Sequence, residues 1–132
     1  MNKDDTLKWL LTYFEPFEVH ERMINELAKI ISKTGYVQRF FTLLIARLLY
    51  LDCMGKSAIK HKEFERVNEN LYSMHLTGTD FNIRILYTFS NDDTPVLLLS
   101  FYERAGKRVT DYSLHLDLAK ERFEEMELYN GE

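Results

Sequence analysis

Phe81-Asn82-Ile83-Arg84-Ile85-Leu86-Tyr87-Thr88-Phe89 is the stretch that decides the fold. Phe81, Ile83, Ile85, Tyr87 and Phe89 alternate with Asn82, Arg84, Leu86 and Thr88, so an extended chain puts an aromatic, apolar set on one face and a mixed set on the other. On its N-terminal side, Leu71 to Leu76 forms a shorter strand, separated by the turn residues Thr77-Gly78-Thr79-Asp80. On its C-terminal side, Ser90-Asn91-Asp92-Asp93 makes a second turn into Val96-Leu97-Leu98-Leu99-Ser100-Phe101, apolar on both faces as an interior strand must be. Three such segments joined by tight turns make an antiparallel meander. A basic loop, Arg104-Ala105-Gly106-Lys107-Arg108, leads to a helix from about Ser113 to Leu128 with Leu116, Ala119, Phe123 and Met126 on one stripe.

Upstream of the meander the period changes. From Phe17, the apolar residues Val19, Met23, Ile24, Leu27, Ile30 and Ile31 recur at helical spacing, and Gly35 ends the run. A second helix is expected from about Tyr36 to Met54, closed by Gly55. Joined through Lys33-Thr34-Gly35, the two make a helical hairpin. The apolar run Leu7 to Phe14, stopped by Pro16, fits an edge strand or a first helical turn, and the strand is favoured. Residues 55–68 lose the apolar period and carry Lys56, Lys60, His61, Lys62 and Arg66, a basic loop into the sheet. Gly55-Lys56-Ser57 is not a phosphate-binding loop, because Tyr50 stands where such a loop needs its first glycine. The expected fold is α+β: an N-terminal helical hairpin packed on a small antiparallel sheet, mixed at its edge, with a C-terminal helix, residues 1–132 forming one domain.

Composition sets the class. Apolar residues make up 45% and charged residues 29%, ordinary for a globular chain, and the 14% aromatic content carries much of the core. The one cysteine, Cys53, forms no internal disulfide, which suits a reducing cytoplasm. Asn2-Lys3-Asp4-Asp5 lacks the basic and apolar pattern of a secretory leader, and Leu43 to Leu51, interrupted by Arg47, is too short to span a bilayer. A cytoplasmic protein without a membrane association is expected. The net charge of −4 is uneven: residues 34–68 carry an excess of three cations and residues 69–132 an excess of six carboxylates. This excludes the broad basic footprint of a protein that grips nucleic acid alone and leaves room for a local basic cleft. His20, His61, His75 and His115 show no metal-ligand spacing with a nearby cysteine or carboxylate, so neither metal nor cofactor is expected.

The order of these segments resembles the RelE/HigB superfamily of toxins, in particular its phage-derived branch. Leu71-Tyr72-Ser73-Met74-His75 is similar to that family's Leu-Tyr-Glu-Leu-Arg segment, and Asn82-Ile83-Arg84-Ile85-Leu86-Tyr87 to its strand with a central arginine. Leu97 to Arg104 is similar to its Leu-Leu-x-x-Phe-x-Lys-Lys segment, and Ala119 to Glu124 falls where the family begins a helix with Ala and Arg. The resemblance implies a RelE-like fold and the toxin of a type II toxin–antitoxin pair. It further implies an endoribonuclease that cuts messenger RNA on the ribosome and is neutralised by a cognate antitoxin. Such a reaction needs an activated 2′-hydroxyl, cations on the phosphate and a proton donor for the leaving oxygen. Arg84 stands at the matched position for phosphate stabilisation, and Arg104, Lys107 and Arg108 extend the cation set. His75, where the family has arginine, fits a base or an acid, with Tyr112 or His115 as proton-transfer partner. Glu103 replaces the first lysine of the family's pair. The residues also fit plainer roles: Arg84 paired with a carboxylate on a solvated face, His75 as a structural histidine. The same fold also serves ParE-like proteins that act by binding a protein partner without catalysis.

Overall fold

The computed structural model of the chain describes residues 3–32, 35–79, 81–103 and 112–130. In chain order the elements are α1 (Lys3–Phe14), β1 (Glu18–Val19), α2 (Glu21–Ile31), α3 (Val37–Met54), a 3₁₀ helix (Gly55–Lys60), β2 (Phe64–Arg66), β3 (Tyr72–Thr77), β4 (Asn82–Phe89), β5 (Pro95–Tyr102) and α4 (Ser113–Asn130). The strands form one mixed sheet in the order β1-β5-β4-β3-β2. Only β1 runs parallel to its neighbour, through Glu18↔Val96 and Val19↔Leu97; the other pairings are antiparallel. The fold is α+β, with an N-terminal helical layer, a sheet mixed at its edge and a C-terminal helix.

The expected meander is β3-β4-β5. Its first turn is tight because the Phe81 ring lies against Gly78, where a Cβ would fall 2.7 Å from ring carbons. In the second, Asp93 adopts φ 63° and its N–H donates to the Ser90 carbonyl at 3.0 Å. The register sets His75 opposite Arg84 and Arg84 opposite Phe101. A bulge interrupts β4–β5, where Tyr87 pairs with Leu97 but Leu86 with Leu99. The extra residue, Leu98, joins Leu99 and Leu86 in the apolar cluster beneath α4, while Leu97 packs in the core on the other face.

Three elements differ from the sequence reading. Residues 7–14 belong to helix α1, not an edge strand: Thr6, Leu10 and Phe14 are buried at four-residue spacing, whereas Trp9 and Leu11 are exposed. The helical layer therefore has three helices, α1 packing closely on α2 and its Trp9 and Tyr13 rings meeting Phe41 of α3. Helix α2 starts at Glu21 because residues 18–19 pair with β5 and His20 caps the helix, its Nδ1 accepting from the Arg22 N–H at 3.1 Å. Residues 55–68 are not simply a loop. Gly55, at φ 54°, ends α3, the 3₁₀ helix follows, and Phe64 drops into the core to start β2.

The core between the helices and the sheet contains Leu10, Phe14, Met23, Leu27, Phe40, Leu44 and Leu51 from the helices and Met74, Leu76, Ile83, Ile85 and Tyr87 from the strands. The opposite face carries the smaller apolar cluster under α4. The far half of α4 is fastened by charge. Arg122, its side chain 5% exposed, grips Glu26 of α2 with two bonds of 2.7 and 2.6 Å and donates to the Leu98 carbonyl at 3.0 Å. Three residues on, Glu125 accepts from Arg22 at 2.7 Å and lies 3.0 Å from His20 Nε2.

Candidate functional site

Alternation along β3 and β4 sends Tyr72, Met74, Leu76, Ile83, Ile85 and Tyr87 into the core and leaves Ser73, His75, Thr77 and Arg84 on the face that α4 covers. Tyr112, one residue before α4, is buried against this face. Its hydroxyl donates to Ser73 Oγ at 2.9 Å and lies 3.3 Å from His75 Nε2. On the first turn of α4, His115 stacks on Phe101 at 3.9 Å between ring centres. Of the residues predicted from sequence, the fold thus brings together His75, Arg84 and Tyr112, with His115 beside them. Arg104, Lys107 and Arg108 lie outside the described residues.

Arg84 is not on a solvated face. It is 8% exposed, so its strand position does not set it on solvent, and it forms no ion pair with another described residue. One guanidinium nitrogen, Nη1, donates to Asn82 Oδ1, to Thr77 Oγ1 at 3.3 Å and to the Ile83 carbonyl at 3.5 Å. Its Nε is buried with no hydrogen-bond partner among the described residues. A cation whose described acceptors are all neutral keeps its charge uncompensated by them, which suits it to an anionic oxygen.

His75 is held differently. Its backbone N–H donates to the Glu63 carbonyl at 2.8 Å, and its own carbonyl accepts from Arg47 Nε of α3 at 3.1 Å. The imidazole Nε2 lies 3.0 Å from Glu65 Oε2. Burial, then the charges of Arg84 and Arg47, push the His75 pKa down from 6.5 to about 4. At neutral pH the ring is uncharged, the state a base must be in to accept a proton.

Sequence reasoning missed Glu65, Arg47 and the two Arg84 supports, Thr77 and Asn82. Glu65 sits in β2, opposite Ser73, inside a stretch whose basic residues read as a loop. Arg47 lies on a helix whose apolar period hid its one inward contact. Among the described residues no cluster of three His, Cys, Asp or Glu side chains is arranged to hold a metal, and no helix is long and apolar enough to cross a membrane. A groove of about 840 Å³ beside α4, lined by Leu71, Leu98, Leu116 and Phe123, includes none of the predicted site residues. Compared with known protein families and with curated proteins, the chain matches none.

Proposed function

We propose that the chain is the toxin of a type II toxin–antitoxin pair, of RelE/HigB type, cleaving messenger RNA on the ribosome. The observation that supports this reading is the pairing of Arg84 and His75. A buried arginine whose acceptors among the described residues are all neutral lies directly opposite a histidine kept neutral, on the central strands of the sheet. In the reaction the 2′-hydroxyl proton passes to His75 as the 2′ oxygen bonds to phosphorus. Arg84 holds the charge gathering on the phosphate oxygens. The bond to the 5′ oxygen breaks, that oxygen takes a proton from Tyr112, His75 passes its Nε2 proton to Tyr112 across their 3.3 Å contact, and exchange with solvent restores the resting ring. The products are a 2′,3′-cyclic phosphate and a free 5′-hydroxyl. The ribosome supplies the bulk of the RNA affinity, which fits an acidic chain with only a local basic site.

Induced expression in bacteria tests the reading. The wild-type chain arrests growth and produces new transcript ends, and Arg84→Ala does neither; wild-type expression without a growth effect overturns it.

A second reading, a protein of the same fold that acts by binding a protein partner, draws on the carboxylate excess of residues 69–132 and on the exposure of Leu114, 81%, on α4. Affinity capture separates the two. A small antitoxin together with ribosomes supports the first, and gyrase or a single unrelated protein supports the second.

A further inference from the structure

The oxygens around the His75 ring determine which of its nitrogens is free to act. We propose that Glu65 is a positioning residue that fixes His75 as the Nε2–H tautomer, leaving Nδ1 as the nitrogen that takes the substrate proton. The catalytic half of this statement rests on the nuclease reading above; the tautomer half does not.

A neutral imidazole carries one proton on two nitrogens, and its neighbours decide where it sits. Two oxygens converge on His75 Nε2: Glu65 Oε2 at 3.0 Å and the Tyr112 hydroxyl at 3.3 Å. An ionised carboxylate only accepts. The Tyr112 hydroxyl proton is directed to Ser73 Oγ at 2.9 Å, so toward His75 this oxygen also presents a lone pair. A protonated Nε2 turns hydrogen toward the Tyr112 oxygen and positive partial charge toward the carboxylate. The alternative tautomer would set the Nε2 lone pair against the carboxylate.

Burial first, then the charges around the ring, keeps the imidazole neutral, so the Glu65 carboxylate lies beside a polar ring rather than a cation. Arg84 faces it from β4 and Arg47 approaches from α3, and both oppose a second proton on the ring. Arg47 is partly offset by Glu63, 3.8 Å from its guanidinium. The geometry follows from register. Glu65 pairs with Ser73, two residues from His75 and on the same face, so its side chain reaches the ring diagonally across the β2–β3 ladder.

The test is an NMR measurement of the imidazole nitrogens in the full chain at neutral pH, with His75→Gln used to assign the His75 signals among the four histidines. The wild type is expected to show a protonated Nε2 and a bare Nδ1. In Glu65→Ala both nitrogens move toward the values of exchanging tautomers, while the backbone amide spectrum away from β2 and β3 is retained. Glu65→Gln, whose amide offers either a donor or an acceptor, shifts in the same direction by less. A wild-type proton on Nδ1, or a tautomer unmoved in both variants, overturns the proposal. In parallel, RNA cleavage by Glu65→Ala should fall about 10- to 100-fold, part of what a positioned base contributes. A wild type that holds the expected tautomer yet cleaves no RNA supports the Glu65 assignment and overturns the nuclease reading.

Discussion

On the helical face of the sheet, Tyr72, Met74 and Leu76 of β3 lie beside Ile83, Ile85 and Tyr87 of β4; on the α4 face the alternate positions are Ser73, His75 and Thr77 beside Arg84 and Leu86. The same two strands supply both sets. The helical layer buries the first set, whose polar atoms are the hydroxyls of Tyr72 and Tyr87, the latter buried with no partner among the described residues. One helix covers the second. Its apolar contacts concentrate at Leu98, Leu99 and Ala119, which leaves the end near Tyr112 to the polar contacts of Tyr112 with Ser73 and His75. A period of two residues thus separates an apolar core face from a polar face within a single hairpin.

Substitutions on the two faces should therefore fail in different ways. Ile85→Ala, on the fully buried face, should lower unfolding free energy by about 2–5 kcal/mol in urea titrations. Arg84→Ala, its neighbour on the other face, should melt closer to the wild type yet lose about 10²–10³-fold in RNA cleavage, the scale of removing a charge-stabilising donor. A stability loss equal to that of Ile85→Ala would erase the distinction between the faces. Arg122→Ala, which strands Glu26, should cost about 3 kcal/mol by the same titration.

The fourth expectation concerns pH. Because the folded chain holds His75 near 4 rather than 6.5, the unfolded chain binds more protons between those values. Stability should fall as pH drops from about 6.5 toward 4, and the wild type should lose about 1–2 kcal/mol more than His75→Gln over that window, allowing for solvent screening. The smallest effect belongs to Leu114→Ser on the outer side of α4, which should change stability by less than about 0.5 kcal/mol.

The meander was legible because alternation and turn chemistry are local. Phe81 to Phe89 states its two faces within nine positions, and Ser90 to Asp93 states its turn. Helix α1 was obscured because Trp9 and Leu11, both exposed, flank buried Leu10 and make the run look continuous. Strands β1 and β2 were missed for a different reason. Each is too short to show a period; β1 exists because of a partner distant in the chain, Val96 and Leu97, and β2 because the chain turns back onto β3. The site divides along the same line. Arg84 and His75 stood out through their motifs, but their facing each other depends on register, and Glu65 became visible only once β2 had a partner.

The outer edge of β5 carries one more consequence. The most apolar strand of the sheet would be a template for another chain if its backbone stood open, and β1 covers it only at Val96 and Leu97. Beyond that pairing the Ser100 N–H is met by Glu26 at 3.4 Å and the Leu98 carbonyl by Arg122 at 3.0 Å. The same ion pair that fastens α4 thus occupies backbone groups that an added strand would need. Its loss should release more than a helix: it should give β5 a sticky border and turn a folding defect into a tendency to self-associate.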